Sequence, residues 1–205
     1  MAKIKICGLS RLQDIEAVNE YKPDYIGFVF AKSKRQVNKG QAKMLKDKLL
    51  PGIISIGVFV NETAEYILNL YKEGIIDIIQ LHGDEDEKFM LELKQSVPCQ
   101  VIKAIPVQTR EQILLAEKLP SDYLLLDTYQ RGQHGGTGIA FNHSIIPELE
   151  KPFFLAGGLD FNNITDAIRN YGPYAVDISS SVETDGIKDA HKIKRMIEIV
   201  RDINN

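Results

Sequence analysis

The amino-acid sequence predicts an α/β protein folded as a single-domain (β/α)8 barrel, the TIM-barrel architecture, over residues 1–205. Eight short runs of apolar and β-branched residues recur along the chain, and their starts lie 22 to 29 residues apart. This interval fits repeated units in which a helix returns the chain from each strand to the next parallel strand. Runs such as "YLLLD" are continuously apolar, which is typical of strands covered on both faces. Eight such units most simply close into a barrel.

Hydrophobic periodicity places the individual elements. The strands are predicted at 3–7, 25–30, 53–60, 75–82, 100–105, 123–128, 152–158 and 175–181. Helical patterns cover 11–21, 39–49, 63–73, 85–95, 109–119, 161–171 and 189–203, with a short helix predicted near 143–149. An open, doubly wound sheet is the alternative, but it usually has a glycine-rich turn after its first strand, where this chain has only Gly8.

The composition is that of an ordinary globular protein, with 44% hydrophobic and 26% charged residues. A net charge of −3 gives no indication of a nucleic acid or an acidic membrane surface as partner. The charged start and the lack of long apolar runs predict neither a signal peptide nor a membrane span, so a cytoplasmic location is expected. With two cysteines and four scattered histidines, no disulfide scaffold and no metal site are expected.

The two cysteines are predicted at opposite ends of the barrel. Cys7 is the last residue of the first strand, on the face where barrels of this kind carry their active sites. Cys99 opens the fifth strand, roughly 15–20 Å away, so the two cannot pair and Cys99 is expected to pack. Cys7 is either a small buried hydrophobe or a thiolate base, whose pKa Lys5 on the same strand face would lower.

Glycine and serine residues follow the last two strands, in "LAGGLDFNNI" and "VDISSSVETDG". In (β/α)8 barrels the loops after strands seven and eight form a phosphate site. Glycine lets backbone N–H groups approach an anion closely, and a helix N-terminus adds partial positive charge. Gly157, Gly158, Ser179, Ser180 and Ser181 are therefore expected to bind phosphate, although either loop alone is also explained as a tight turn with a helix cap.

The sixth strand is followed by "QRGQHGGTGIAF" at 130–141, which contains four glycines. This segment is predicted to be either a lid over a ligand or a merely flexible connection.

Two further side chains at strand ends have the chemistry of a site. Asp127 follows a wholly apolar run, so it is either a general acid–base or the partner of a nearby cation. Partial burial of a carboxyl group favours its protonated form, which suits an acid. After strand two, "AKSKRQVN" places Lys32, Lys34 and Arg35 in one loop. Arg35 is expected to bind a carboxylate bidentately, unless this is simply a solvated basic loop.

Taken together, "KICGL", "GFVF" with "SKR", "GVFV", "QLHGDE", "LLLDT" with "GGTG", "LAGGL" and "VDISSSVE" run in order along nearly the whole chain. This set resembles the phosphoribosylanthranilate isomerase family of tryptophan biosynthesis. The resemblance implies the Amadori rearrangement of N-(5-phosphoribosyl)anthranilate to the 1-deoxyribulose 5-phosphate. It also implies a phosphorylated small-molecule substrate and no metal or organic cofactor. The number of subunits stays open between a monomer and a homodimer.

The resemblance also implies roles for individual residues. By analogy, Asp127 protonates the furanose oxygen, and Cys7 as thiolate removes the C2′ proton. Arg35 matches the residue that holds the anthranilate carboxylate, while Gly158 and Ser180 match the phosphate site. Asp177 corresponds to a contact with the sugar hydroxyls.

The chain departs from the family pattern at three places. Lys34 stands where the family usually has proline before the arginine. Phe141, Asn142 and His143 replace the usual Phe-Asp-Trp, and Ser181 replaces a glycine in the loop after strand eight. The last change puts in question how closely that N–H approaches phosphate.

Two other functions remain open from the residues alone. Lys103, within strand five, would suit a lyase that forms a Schiff base, unless it is paired with internal carboxylates. A phosphate-ligand sensor on the same fold would bind without turnover, but it has no need of both a thiol and a carboxyl group at strand ends.

Overall fold

The computed structural model describes residues 1–128 and 142–203. Eight parallel strands pair in chain order, and β8 pairs with β1, which closes the barrel. The strands are β1 (Lys3–Cys7), β2 (Tyr25–Val29), β3 (Ile54–Phe59), β4 (Ile78–Leu81), β5 (Gln100–Val107), β6 (Tyr123–Thr128), β7 (Phe153–Leu155) and β8 (Ala175–Ile178). The predicted (β/α)8 barrel is confirmed, and the open sheet was the wrong alternative.

Seven α-helices surround the barrel in the described ranges. They are α1 (Leu12–Tyr21), α2 (Lys39–Lys46), α3 (Ala64–Lys72), α4 (Glu87–Ser96), α5 (Arg110–Ala116), α6 (Ile164–Tyr171) and α7 (Ala190–Ile203). Four of them are preceded by an N-cap residue whose side chain accepts a hydrogen bond from the backbone N–H three residues further on. This bond satisfies one of the N–H groups that have no partner within the helix. These N-cap residues are Asn38, Thr63, Asp86 and Thr109. None of the described helices is long and apolar enough to cross a lipid bilayer.

Smaller elements complete the fold. The short helix predicted near 143–149 is a single 3-10 turn, His143–Ile145. A second 3-10 turn, Ser180–Val182, follows β8 and leads into a small antiparallel hairpin, β9 (Glu183–Thr184) and β10 (Ile187–Lys188). The glycine-rich segment 130–141, predicted as a lid or a connection, lies outside the described residues.

Two apolar cores hold these layers together. The larger core lies between the sheet and the helices, and it is built from outward-facing strand residues such as Ile6 and Leu126 with helix residues such as Leu70 and Met196. The smaller core fills the barrel interior. It consists of Tyr25, Ile56, Ile78, Ile102, Ala104, Leu125, Phe154, Ala156 and Ala175. Alternation of side chains along each strand separates the two sets, as the period of two requires.

Two strands end three residues earlier than their apolar patterns predict. β7 stops at Leu155 rather than at 158, because Gly157 and Gly158 take φ values of +77° and +66°, outside the extended region. β8 stops at Ile178 rather than at 181, because the chain turns at once into the 3-10 helix. Both early endings lie at the carboxyl face of the barrel.

A layer of buried polar side chains lies above the apolar interior, on the carboxyl side. Lys5 is fully buried and Gln80 is 1% exposed. Lys5 and Asp177 are register partners on β1 and β8, and Lys5 Nζ lies 2.9 Å from Asp177 Oδ2. Burial opposes the charge of Lys5, but Asp177 and Cys7 outweigh it and raise the pKa of the ammonium. A buried charge requires such a partner, so this pair fixes a permanent cation beneath the barrel mouth.

Candidate active site

A cleft at the carboxyl ends of the strands collects most of the residues that the sequence singles out. It encloses about 730 Å³, part of it open to solvent. Its polar and glycine lining comprises Cys7, Ser33, Arg35, Gln80, His82, Asp127, Gly157, Gly158, Asp177, Ser179 and Ser180. Ser181 is the exception among the predicted site residues: it lines a neighbouring cleft with Asp160 and Lys192.

Cys7 ends β1 at the edge of this cleft, partly exposed. Its thiol fits because β2 carries glycine alongside it, where a Cβ on Gly27 would lie 2.7 Å from Cys7 Sγ. Burial raises the pKa of the Cys7 thiol, while the charges of Lys5, Lys188 and Arg35 lower it. The charge of Lys5 acts in the direction that the sequence-based hypothesis expects, but burial and the charge of Asp177 outweigh the nearby cations and leave the pKa of the thiol raised.

Asp127 is the penultimate residue of β6, on the other side of the cleft, and its side chain is 8% exposed. Oδ1 accepts the backbone N–H of Thr128 at 2.7 Å, and Oδ2 lies 3.2 Å from Nε2 of His82. Gly157 packs against this carboxyl group, because a Cβ there would lie 2.6 Å from Thr128 N and 2.9 Å from Asp127 Oδ1. Both carboxyl oxygens are therefore held in place at the edge of the cleft.

The loops after the neighbouring strands β7 and β8 lie side by side at the cleft. Gly157 and Gly158 turn in the left-handed region, and Ser180 begins the 3-10 turn that follows β8. Within the described residues, the backbone N–H groups of Gly158 and Ser180 have no protein acceptor. Free N–H groups on two adjacent loops are the donors that an anion such as phosphate requires.

Arg35 enters the cleft from the loop after β2. Its stem passes over Gly8, where φ is +84° and any Cβ would collide with Arg35 Cδ. The guanidinium pairs with Glu183 of the hairpin, with Nε 2.6 Å from Oε1 and Nη2 2.9 Å from Oε2. Lys188 joins the same carboxylate at 2.6 Å. Burial alone would raise the pKa of Glu183, but the hydrogen bonds from Arg35 and Lys188 outweigh it and hold that pKa at about 2.

Asp177 lies at the floor of the cleft. Its Oδ2 accepts from Lys5 at 2.9 Å. Its Oδ1 is buried and has no hydrogen-bond partner among the described residues. A buried carboxylate oxygen without a donor is unfavourable, so this atom is suited to accept a hydrogen bond from a ligand hydroxyl.

Four functional neighbours were not identified from the sequence. They are Gln80, His82, Glu183 and Lys188. Gln80 and His82 had a usable signal, since they alternate on one face of β4 and its end, and that face points into the barrel. Glu183 and Lys188 had no such signal. Their contacts depend on the hairpin β9–β10, whose two-residue strands are too short to produce a recognisable sequence pattern.

The departures from the family pattern have clear places in the structure. Lys34 is exposed, with Nζ 3.8 Å from Glu183 Oε2. Asn142 caps the 3-10 turn, and the ring of His143 packs edge-on against Tyr171 at 5.6 Å. The described non-glycine residues with positive φ do not include Ser181, so its backbone does not need the conformation of a glycine.

Lys103 does not project free into the cleft. Its Nζ donates to Gly83 O at 2.5 Å and to Glu85 Oε2 at 2.9 Å. Glu85 also accepts the backbone N–H groups of Asn61 and Gly83, so this buried pair ties together the loops after β3 and β4. These contacts match the structural role considered for Lys103. Across residues 1–128 and 142–203, no group of three or more His, Cys, Asp or Glu side chains is arranged to hold a metal ion.

The closed barrel and the cleft at the carboxyl ends of its strands define the class of protein. It is an enzyme of the (β/α)8 type, whose polar groups gather at this face of the barrel. A family model described as N-(5'phosphoribosyl)anthranilate (PRA) isomerase matches residues 4–199. The chain therefore belongs to this isomerase family.

Comparison with individual proteins agrees. The N-(5'-phosphoribosyl)anthranilate isomerase of Endomicrobium trichonymphae is 43% identical over 203 residues, which covers 99% of this chain and 100% of the relative. The crystal structure of phosphoribosyl anthranilate isomerase from Thermotoga maritima has 32% identity and a TM-score of 0.86, covering 98% of this chain and 100% of that one. A second structure, of the isomerase in complex with reduced 1-(o-carboxyphenylamino)-1-deoxyribulose 5-phosphate, has 32% identity, a TM-score of 0.81 and the same coverage.

Proposed function

We propose that this chain catalyses the Amadori rearrangement of N-(5-phosphoribosyl)anthranilate to 1-(2-carboxyphenylamino)-1-deoxyribulose 5-phosphate in tryptophan biosynthesis, with Asp127 as general acid and Cys7 as general base. Membership of the isomerase family supports the reaction. The observation that carries the assignment of roles is that the thiol at the end of β1 and the carboxyl group at the end of β6 line one cleft.

Ring opening is the first step. Protonated Asp127 gives its proton to the furanose ring oxygen as the bond from C1′ to that oxygen breaks. The lone pair of the anthranilate nitrogen forms the C=N bond, which gives a Schiff base. The backbone N–H of Thr128 and the ring of His82 hold the carboxyl group during this transfer.

Proton removal from C2′ is the second step. The Cys7 thiolate takes this proton, and the electron pair forms the C1′–C2′ double bond and neutralises the Schiff base nitrogen. The resulting enolamine then tautomerises to the ketone. Lys5, Lys188 and Arg35 favour the thiolate, against the burial that raises the pKa of Cys7. The sequence of steps requires proton transfers alone, so the proposed mechanism uses no metal or organic cofactor.

Three contacts would hold the substrate, at its phosphate, at its ribose and at its anthranilate carboxylate. The free N–H groups of Gly158 and Ser180 suit the 5-phosphate, with Gly157 and Ser181 as flanking members of the same loops. Asp177 Oδ1 suits a ribose hydroxyl. Glu183 takes one edge of the Arg35 guanidinium, so the anthranilate carboxylate is expected on the N–H groups of its other edge.

Turnover of freshly generated N-(5-phosphoribosyl)anthranilate, followed by loss of its fluorescence, tests the function. Cys7→Ser and Asp127→Asn should each lower kcat by a factor of about 10² or more. Cys99→Ser, which changes the thiol at the opposite end of the barrel, is the matched control and should retain activity. Wild-type binding without turnover would support a sensor, and trapping of a covalent adduct by borohydride with a sugar phosphate would support the Lys103 lyase. Cytoplasmic location and the choice between monomer and homodimer stay predictions.

A further inference from the structure

A continuous line of hydrogen bonds joins the buried Lys5 to Asp127. Lys5 Nζ lies 2.5 Å from Oε1 of Gln80, and Gln80 Nε2 lies 2.9 Å from Nδ1 of His82. His82 Nε2 then lies 3.2 Å from Oδ2 of Asp127. Lys5 and Gln80 are both essentially buried, at 0% and 1% exposure. The line therefore connects residues of β1, β4 and β6 beneath the cleft.

The chemistry of lysine fixes the direction of the first bond. An ammonium group donates hydrogen bonds and accepts none. The Gln80 atom beside Lys5 must therefore be the amide oxygen, and the amide nitrogen must face His82. The two orientations of a glutamine amide are normally hard to tell apart, but here only one of them places an acceptor beside the ammonium.

The direction of the second bond follows from the first. An amide NH2 group only donates, so Nδ1 of His82 must present a lone pair to Gln80. A neutral imidazole with an unprotonated Nδ1 has its proton on Nε2, which faces the carboxyl group. We propose that Lys5, acting through Gln80, fixes His82 as the neutral imidazole protonated on Nε2, and that His82 is thereby a positioning residue for Asp127.

The same arrangement opposes a charged imidazolium at this place. A second proton, on Nδ1, would point at the amide N–H of Gln80, and Lys5 prevents the amide from turning over. The charged and titratable groups on the two clefts that His82 borders lie on or after several strands of the barrel. They are Cys7 on β1, Arg35 after β2, Asp84 after β4, Lys103 on β5, Asp127 on β6 and Asp177 on β8.

The neutral state of His82 matters for an acid at Asp127. An imidazolium beside a carboxyl group favours its ionised form, which has no proton to give. A neutral Nε2–H donor orients the same oxygen without adding a positive charge. The benefit of a neutral His82 for catalysis rests on the proposed role of Asp127 as the acid. The protonation state of His82 itself is inferred independently of that role.

Nitrogen-15 NMR of the full-length chain tests the proposal directly. Spectra of the histidine side chains are recorded between pH 5 and 9, and the His82 signals are assigned with a His82→Asn variant. The expected wild-type result at neutral pH is a neutral ring with its proton on Nε2. In the wild-type protein, a His82 ring that carries a proton on Nδ1 at neutral pH, whether neutral or as the imidazolium, would overturn the proposal.

Gln80→Glu and Lys5→Met test the cause. The carboxylate of Gln80→Glu accepts a hydrogen bond from Nδ1–H, so His82 should gain a proton on Nδ1. Lys5→Met frees the amide of Gln80 to turn over, so a form of His82 protonated on Nδ1 should appear. The matched control is Lys46→Met, which removes a lysine that donates to buried Ser55 at 2.8 Å, away from the cleft. Lys46→Met should leave the His82 spectrum unchanged. If Gln80→Glu also left it unchanged, the hydrogen bonds from Lys5 through Gln80 would not set the protonation of His82, and the proposal would be refuted.

Kinetics separate positioning from a structural role. In Gln80→Glu the positive charge of His82 keeps Asp127 ionised, so its protonated form should survive only at lower pH. The high-pH limb of the kcat profile should move down by about one pH unit or more, with kcat at neutral pH at least about tenfold lower and KM nearly unchanged. A uniform loss at all pH values would indicate a structural role and contradict the proposal. Full activity of Asp127→Asn would instead overturn the role of Asp127 and leave the NMR result standing.

Discussion

The guanidinium of Arg35 and the carboxylate of Glu183 meet edge to edge, with Nε 2.6 Å from Oε1 and Nη2 2.9 Å from Oε2. The pair joins the loop after β2 to the hairpin after β8. Both side chains are largely buried, with Arg35 13% exposed and Glu183 5% exposed, so the surrounding residues restrict their movement. Bidentate pairs of this kind fix the plane of the guanidinium as well as its position. Glu183 therefore decides which edge of Arg35 faces the cleft.

Replacing Arg35 should weaken substrate binding. Arg35→Met removes the proposed partner of the anthranilate carboxylate, so KM should rise by a factor of about ten or more, because charge-assisted hydrogen bonds are among the stronger polar contacts. Lys34→Met is the matched control, since Lys34 lies beside the same Glu183 at 3.8 Å but is 62% exposed. Its KM should stay within about twofold of the wild type. Steady-state kinetics of both variants decide the matter, and equal KM values in the two would contradict a role for Arg35 in binding.

Glu183 should also make stability depend on acid pH. Its folded-state pKa of about 2 lies below its ordinary value of 4.5, so its stabilising effect is present above 4.5 and is lost as the pH falls toward 2. Glu183→Gln should lower the free energy of unfolding by roughly 1–3 kcal/mol at pH 7, and the difference should shrink to near zero at about pH 2.

Urea unfolding at a series of pH values measures this difference. The control is Glu16→Gln, which changes an exposed carboxylate on α1 and should stay within about 0.5 kcal/mol of the wild type throughout. A Glu183→Gln difference that does not change with pH would show that the ion pair is not its cause.

The fold was predictable because one pattern repeats along the chain. Apolar strands such as Tyr123–Thr128 follow one another at nearly constant intervals, and a closed barrel buries all eight on both faces. The ends of β7 and β8 were less predictable. Apolar or small residues continue past Leu155 and Ile178, whereas the backbone turns there because of Gly157, Gly158 and the 3-10 turn.

The site was predictable where it depends on strand ends, and not where it depends on distant contacts. Cys7 and Asp127 each follow an apolar run, so the fold alone places them at the barrel mouth. Glu183 is 148 residues from Arg35 along the chain, and no local pattern connects them. Which ring nitrogen of His82 carries the proton likewise depends on Lys5 of β1 and Gln80 of β4. This contact between distant strands is visible only in the folded structure.

The Cys7 thiol should titrate above the ordinary range for cysteine. Burial raises its pKa, and Lys5, Lys188 and Arg35 offset this only in part. In a Cys99→Ala background, which leaves Cys7 as the only thiol, the pH dependence of alkylation by iodoacetamide reports this pKa. Lys5→Met should raise it further and slow alkylation at pH 8, because the nearest cation is lost. Identical titrations with and without Lys5 would show that its charge does not act on the thiol.

Gly157 should be needed for activity as well as for stability. It has φ of +77°, and an added Cβ would lie 2.6 Å from Thr128 N and 2.9 Å from Asp127 Oδ1. Gly172 provides the matched control, because its φ of +54° is also left-handed but nothing lies within 4 Å of its Cβ position. Gly172→Ala should therefore show the backbone effect alone, a loss of about 1 kcal/mol with kcat unchanged.

Gly157→Ala should add crowding to the same backbone effect. The methyl group has to push Thr128 or the carboxyl group of Asp127 aside, so the free energy of unfolding should fall by about 2 kcal/mol or more. Because a displaced acid no longer reaches the ring oxygen in line, kcat should fall by about tenfold or more. Denaturant unfolding and steady-state kinetics of the two alanine variants separate the effects. If Gly157→Ala matched Gly172→Ala in both measurements, the close contact between the β7 loop and Asp127 would have no part in holding the acid.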